Sequence, residues 1–146
     1  IYAGKGVEAA STFAVDEKEL FSILVGIRDK ALEYGMEFTW YTPTHYCVLN
    51  PVALGFGIKC CSACRVTLCV EPDGDVIPCQ SFFETIGNIL TNKWSDIWNH
   101  PICNSLRKRE YAPEKCRKCL ELDICGAGCP LELKAKRILC GECYES

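Results

Sequence analysis

No stretch of this sequence is apolar for long enough to cross a bilayer. Its first residues do not combine a charged start with an apolar core, as a secretory leader does. Basic residues form no run that would suit a nucleic-acid partner, and the formal charge is only −3. Internal repeats and low-complexity tracts are missing as well. Histidine is scarce: His45 and His100 stand in no partner motif, and each is expected to be a packed or surface residue. The acidic trio Glu71, Asp73 and Asp75 lacks the pattern of a calcium loop, which leaves turn chemistry as its expected role. What these absences leave is a chain of 146 residues, 49% hydrophobic, sufficient for one folded domain or for a small domain with a piece of another.

Cysteine is the excess. There are 13, an odd number, whereas a secreted disulfide scaffold more naturally shows an even count in a shorter chain. They crowd between Cys47 and Cys143, mostly as close pairs. Neighbours two or three residues apart rarely bond to each other, because a disulfide needs a particular Cα separation and Cβ direction. Crowded pairs suit a metal centre on which several thiolates converge. The densest stretch, CRKCLELDICGAGC at 116–129, carries C-x2-C-x5-C-x3-C. A cubane takes four thiolates, and short spacings let one loop supply several of them. Gly126 and Gly128 permit close backbone approach beside Cys125 and Cys129. Structural zinc uses the same ligands but usually as two C-x2-C knuckles per site, which is not the layout here; a zinc-binding interaction module is the alternative reading.

Residues 16–34 have helical periodicity. Asp16 is the expected N-cap, Glu19 completes a capping box, and Gly35 is placed to end the helix. Leu20, Ile23, Leu24, Ile27, Ala31 and Tyr34 are expected to form its buried stripe. MEFTWYT (36–42) reads as a short strand stopped by Pro43. One helix–strand unit cannot make a sheet, so residues 1–49 are expected to be the tail of a larger layered or barrel domain. NPVALGFGIK, from Asn50, has the texture of a linker, assigned to 50–57. TLCVE and VIPC around the PDGD turn predict a β-hairpin over 67–79. Short helices follow over 94–100 and 102–109, split by Pro101, and a last helix starts at Pro130. Trp94 and Trp98 are expected on a buried helix face, and the basic residues at 107–109 and 134–137 on solvated ones. Cys69 and Cys103 are expected to be packed residues, and Cys47 packed or near a cavity.

The spacing extends upstream. Gly74-x4-Cys79 follows Cys60, Cys61 and Cys64, giving C-x(9–15)-G-x4-C, a gap, C-x2-C-x5-C-x3-C, a gap, and a last cysteine. With VEPDGDVIPC, GNI, KWSDIW, PEKCRKC and CGAGCP, this resembles the SPASM domain, the C-terminal extension of many radical S-adenosylmethionine enzymes, over about residues 58–143. The resemblance implies an α+β fold: a small cysteine-rich domain with a β-hairpin and short helices over 58–146, preceded by the last helix–strand unit of a partial (β/α) barrel. It also implies two auxiliary [4Fe–4S] clusters. Cys64, Cys79 and Cys129 would hold the first with Cys61 (or Cys60). Cys116, Cys119 and Cys125 would hold the second with Cys143 (or Cys140). YTPTHYC and the segment 50–64 further resemble members that work on peptides or haem-like precursors.

The catalytic C-x3-C-x2-C of that enzyme class is absent. Cys60-x3-Cys64 and Cys125-x3-Cys129 are followed three residues later by Thr67 and Glu132. The chain is therefore expected to be inactive alone, as part of a parent oxidoreductase or maturase that alone binds S-adenosylmethionine. The implied partners are the missing barrel, a peptide or small-molecule substrate, and a redox protein such as ferredoxin or flavodoxin. The implied location is cytoplasmic, with neither nucleic acid nor membrane as a partner.

Overall fold

The computed structural model describes residues 6–15 and 17–140. The expected cap Asp16 and the expected ligand Cys143 lie outside them, as does the side chain of Cys140. In chain order the elements are α1 (Gly6–Phe13), α2 (Glu17–Glu33), β1 (Cys69–Val70), β2 (Asp75–Ile77), β3 (Gly87–Asn88), α3 (Trp94–Trp98), α4 (Pro101–Lys108), α5 (Glu114–Arg117), α6 (Leu122–Cys125) and α7 (Pro130–Cys140). No helix among the described residues is long and apolar enough to cross a membrane.

Helix α2 ends where expected. The Gly35 N–H reaches the Leu32 carbonyl at 3.1 Å and the Met36 N–H reaches that of Ala31 at 2.8 Å, a Schellman closure. Its stripe is narrower than its periodicity predicts. Leu24 is buried, Leu20 and Ala31 are half-buried, and Ile23, Ile27 and Tyr34 are exposed. The helix meets a small cluster, Leu24 with Leu49 and Leu54, edged by Phe38, Trp40 and Phe56. That is too little partner surface to cover six positions.

Residues 36–42 form no strand. The alternation is there, with Phe38 and Trp40 half-buried and Glu37, Thr39 and Tyr41 exposed. A ladder also needs a neighbouring strand, and none of the described strands lies beside this segment. Residues 50–57 turn back on themselves: the Asn50 side chain accepts the Val52 and Ala53 N–H groups, and Leu54 returns onto Leu24.

The hairpin forms with β1 antiparallel to β2 and Val70 opposite Val76. Around Pro72 and Asp73, the Gly74 N–H reaches the Glu71 carbonyl at 2.9 Å. The acidic residues serve this turn and its neighbour. Asp73 accepts from the Asp75 N–H at 3.1 Å, and Asp75 accepts from Asn88 at 3.0 Å and Thr85 at 3.2 Å. Those bonds fasten β3, which completes a three-stranded sheet by pairing Gly87 with Val76. The sheet packs on α3 and α4 through Val76, Ile86, Ile97 and Leu106, in a core that also holds Cys64 and Cys103. Pro101 does split α3 from α4. Ile97 is the buried residue of α3, whereas Trp94 is exposed and stacks on Trp98 at 5.9 Å.

Two basic residues expected in solvent are not there. The Arg107 guanidinium lies 4.6 Å over the Trp98 ring and donates to the Cys64 carbonyl at 3.0 Å. Arg109 is buried and donates to the carbonyls of Leu122 and Asp123 at 2.6 and 2.9 Å. Their partners lie far along the chain, out of reach of a periodicity argument.

Candidate metal centre

The fold brings the cysteines into two neighbourhoods. Cys61, Cys79 and Cys129 form the first, with Cys60 beside them. Burial pushes the Cys61 thiol up from an ordinary 9.0 to about 11, and the neighbouring thiols Cys129, Cys79 and Cys60 push the same way against the Ala63 N–H. Burial also raises the Cys129 thiol, opposed by the N–H groups of Glu132 and Leu131, with Glu132 and Cys79 adding to the rise. Those two N–H groups open α7, so Cys129 caps that helix with sulfur.

Cys116, Cys119 and Cys125 form the second. They line one cavity of about 270 Å³ together with Cys47 and Tyr46. The Cys125 sulfur accepts the Tyr46 N–H at 3.4 Å and donates to the Thr44 carbonyl at 3.6 Å. Burial raises the Cys116 thiol first, and among its charged neighbours Cys47 acts most strongly, ahead of Cys125.

Backbone shape makes both neighbourhoods. Gly126, Ala127 and Gly128 all take positive φ, at 69°, 57° and 71°, and this left-handed turn carries the chain from Cys125 to Cys129. At Gly126 a Cβ would stand 3.2 Å from Cys60 Cβ, and at Gly128 one would stand 3.0 Å from the His45 ring. Glycine is thus required twice over, by φ and by space. The half-buried Tyr111 holds the turn, its hydroxyl donating to the Gly126 carbonyl at 2.8 Å.

Of the expected ligands, Cys61, Cys79 and Cys129 come together, and so do Cys116, Cys119 and Cys125. Cys64 departs from the expectation. It is bonded to Cys103, which was read as merely packed, and a sulfur in a disulfide is not a thiolate ligand. Both lie fully buried in the core under the sheet, against which Cys61 and Cys79 also pack. Their separation of 39 residues left no sign of the pairing in local spacing. Cys69 is a free, half-buried thiol in β1.

Among the described residues, no three His, Cys, Asp or Glu side chains are placed to hold one metal ion. A tetrahedral zinc, with Zn–S arms of about 2.3 Å, would need such a convergence. A cubane likewise takes four thiolates, and Cys116, Cys119 and Cys125 line one cavity with Cys47. A donor set made of cysteine thiols fits an iron–sulfur cluster, which takes the same ligands as structural zinc.

No curated protein and no solved structure matches the chain. A family model does match residues 60–120, the span that supplies Cys60, Cys61, Cys64, Cys79, Cys116 and Cys119. That model is of the SPASM domain, described as an iron–sulfur cluster-binding domain, and this stretch of the chain is similar to it.

Proposed function

We propose that the chain is the cluster-bearing portion of a radical S-adenosylmethionine enzyme that modifies a peptide, a protein or a haem-like precursor, and that it holds two [4Fe–4S] clusters. The observation that carries the reading is the sorting of the thiols into two neighbourhoods, Cys61 with Cys79 and Cys129, and Cys116 with Cys119 and Cys125. The match of residues 60–120 to the SPASM family model supports it. In this reading Cys64 joins the first set once an external thiol has reduced its bond to Cys103, and the sulfurs of Cys61, Cys64, Cys79 and Cys129 are the ligands. When bound, the clusters supply one-electron transfer or an iron site for substrate.

The chain's own residues tune those sulfurs. The Ala63 N–H on Cys61 and the α7 N–H groups on Cys129 each favour thiolate over thiol, and the Tyr46 N–H bonds the Cys125 sulfur. Tyr111 and the 126–128 turn cover the first neighbourhood.

Anaerobic reconstitution with iron, sulfide and a thiol reductant tests the reading. The expected product shows broad absorbance near about 400 nm, about eight irons per chain and matching labile sulfide. Stoichiometric zinc in a colourless protein without labile sulfide would support the interaction-module reading instead. The loaded chain alone is expected to leave S-adenosylmethionine intact, because it carries no C-x3-C-x2-C.

A further inference from the structure

Resting on the cluster-binding reading above, we propose that Cys47 is the fourth thiolate of the second site, completing Cys116, Cys119 and Cys125 in place of a thiol from the last residues of the chain. The cavity between the 45–50 turn and helices α5 and α6 is walled by all four of these cysteines. Cys116, Cys119 and Cys125 come from one continuous stretch of the chain. A cubane takes four thiolates, and Cys47, on the separate 45–50 segment, lines the same cavity as the other three.

The segment that presents Cys47 is held at both ends. The His45 carbonyl accepts the Val48 and Leu49 N–H groups at 2.9 and 2.8 Å, and the Thr44 hydroxyl donates to the Leu49 carbonyl at 2.9 Å. On its cavity side, the Tyr46 N–H is bonded to the sulfur of Cys125 at 3.4 Å, a member of the same thiol set. The Tyr46 hydroxyl in turn accepts the Lys59 N–H at 3.0 Å. Tyr46 is buried within this anchoring, while the Cys47 beside it is a free, exposed thiol. No hydrophobic cluster among the described residues claims its side chain. Cys47 both lines the cavity and is exposed, as is Cys119, the other exposed cysteine of the set.

The experiment is iron and labile-sulfide analysis with electron paramagnetic resonance of the anaerobically reconstituted full chain. It compares wild type with Cys47→Ala, Cys119→Ala, Cys140→Ala and Cys143→Ala. Cys47→Ala is expected to behave as Cys119→Ala does, falling from about eight irons to about four, or by about one with the signal of a three-iron cluster. Cys140→Ala and Cys143→Ala are expected to keep the full complement. Because Cys47 is exposed, the metal-free variant should retain the wild-type circular dichroism, which separates lost ligation from lost folding. Unchanged iron and an unchanged signal in Cys47→Ala, beside a wild type carrying about eight irons, overturn the assignment alone. A wild type that takes up no iron overturns the cluster reading together with it.

Discussion

Cys64 and Cys103, 39 residues apart in sequence and with Cα atoms 5.1 Å apart, are joined by a disulfide in the core beneath the three-stranded sheet. Closing a loop of this size restricts the unfolded chain by about 4 kcal/mol in the chain-entropy account. Cys103→Ala is expected to lower the stability of the metal-free chain by about 2 to 4 kcal/mol, read from the denaturant midpoint. The same variant should keep its iron after reconstitution, because Cys64 is then a free thiol. Cys64→Ala should lose iron, and Cys60→Ala should not. Equal iron in all three variants would refute the part given to Cys64.

The thiol neighbourhoods separate ligands from bystanders. Cys119→Ala is expected to remove about four irons, or about one with the signal of a three-iron cluster, because Cys119 lines the second cavity. Cys69→Ala is expected to remove none, since Cys69 lies in β1, paired opposite Ile77. Metal analysis after identical reconstitution decides it, and equal loss in both variants would contradict the ligand assignment.

Gly126→Ala tests the turn between Cys125 and Cys129. A left-handed conformation costs a residue with a side chain about 1 to 2 kcal/mol, and here the new methyl would also press on Cys60 Cβ at 3.2 Å. Thermal denaturation of the metal-free variant should show that loss or more. Its iron content should fall as well, since the turn sets where both flanking sulfurs point.

Alkaline pH should weaken the metal-free chain. The folded state raises the Cys61 thiol from 9.0 to about 11, so folding favours its protonated form. That contribution is fully present below about pH 9 and is lost as pH rises through about 11. Cys129 and Cys116, also raised, act in the same direction. Urea midpoints measured across this window should fall with rising pH, and a flat profile would contradict the buried, crowded thiols. Iron loading should respond oppositely, since ligation needs thiolates and releases protons.

Arg109→Met examines the hold on α6. The buried guanidinium donates to two backbone carbonyls, of Leu122 and Asp123, and hydrogen bonds from a charged group contribute about 1.5 to 3 kcal/mol. Loss of stability of about that size is expected. Arg109→Lys should recover only part of it, because a single ammonium cannot reproduce the fork.

Local physics made several elements legible before any coordinates. The α2 limits follow from periodicity and from Gly35, the hairpin from its Pro-Asp-Gly turn, the break between α3 and α4 from Pro101, and α7 from Pro130. Each is decided within a few residues. The strand expected over 36–42 did not form because alternation describes only one edge of a ladder, and no described strand supplies the other. Ile23 and Ile27 are exposed because an apolar stripe is buried only to the extent that a partner covers it.

The thiols divide in the same way. C-x2-C-x5-C-x3-C pointed to metal or cluster ligation from the sequence, since short intervals let one stretch supply Cys116, Cys119 and Cys125 to one neighbourhood. Which sulfurs arrive from elsewhere was a matter of the path of the loops. Cys103 meets Cys64, and Cys47 lines one cavity with Cys116, only because the sheet packs on α4 and the 45–50 turn packs on α6. Spacing constrains partners a few bonds apart, whereas partners tens of residues apart are selected by packing, and packing belongs to the folded chain as a whole.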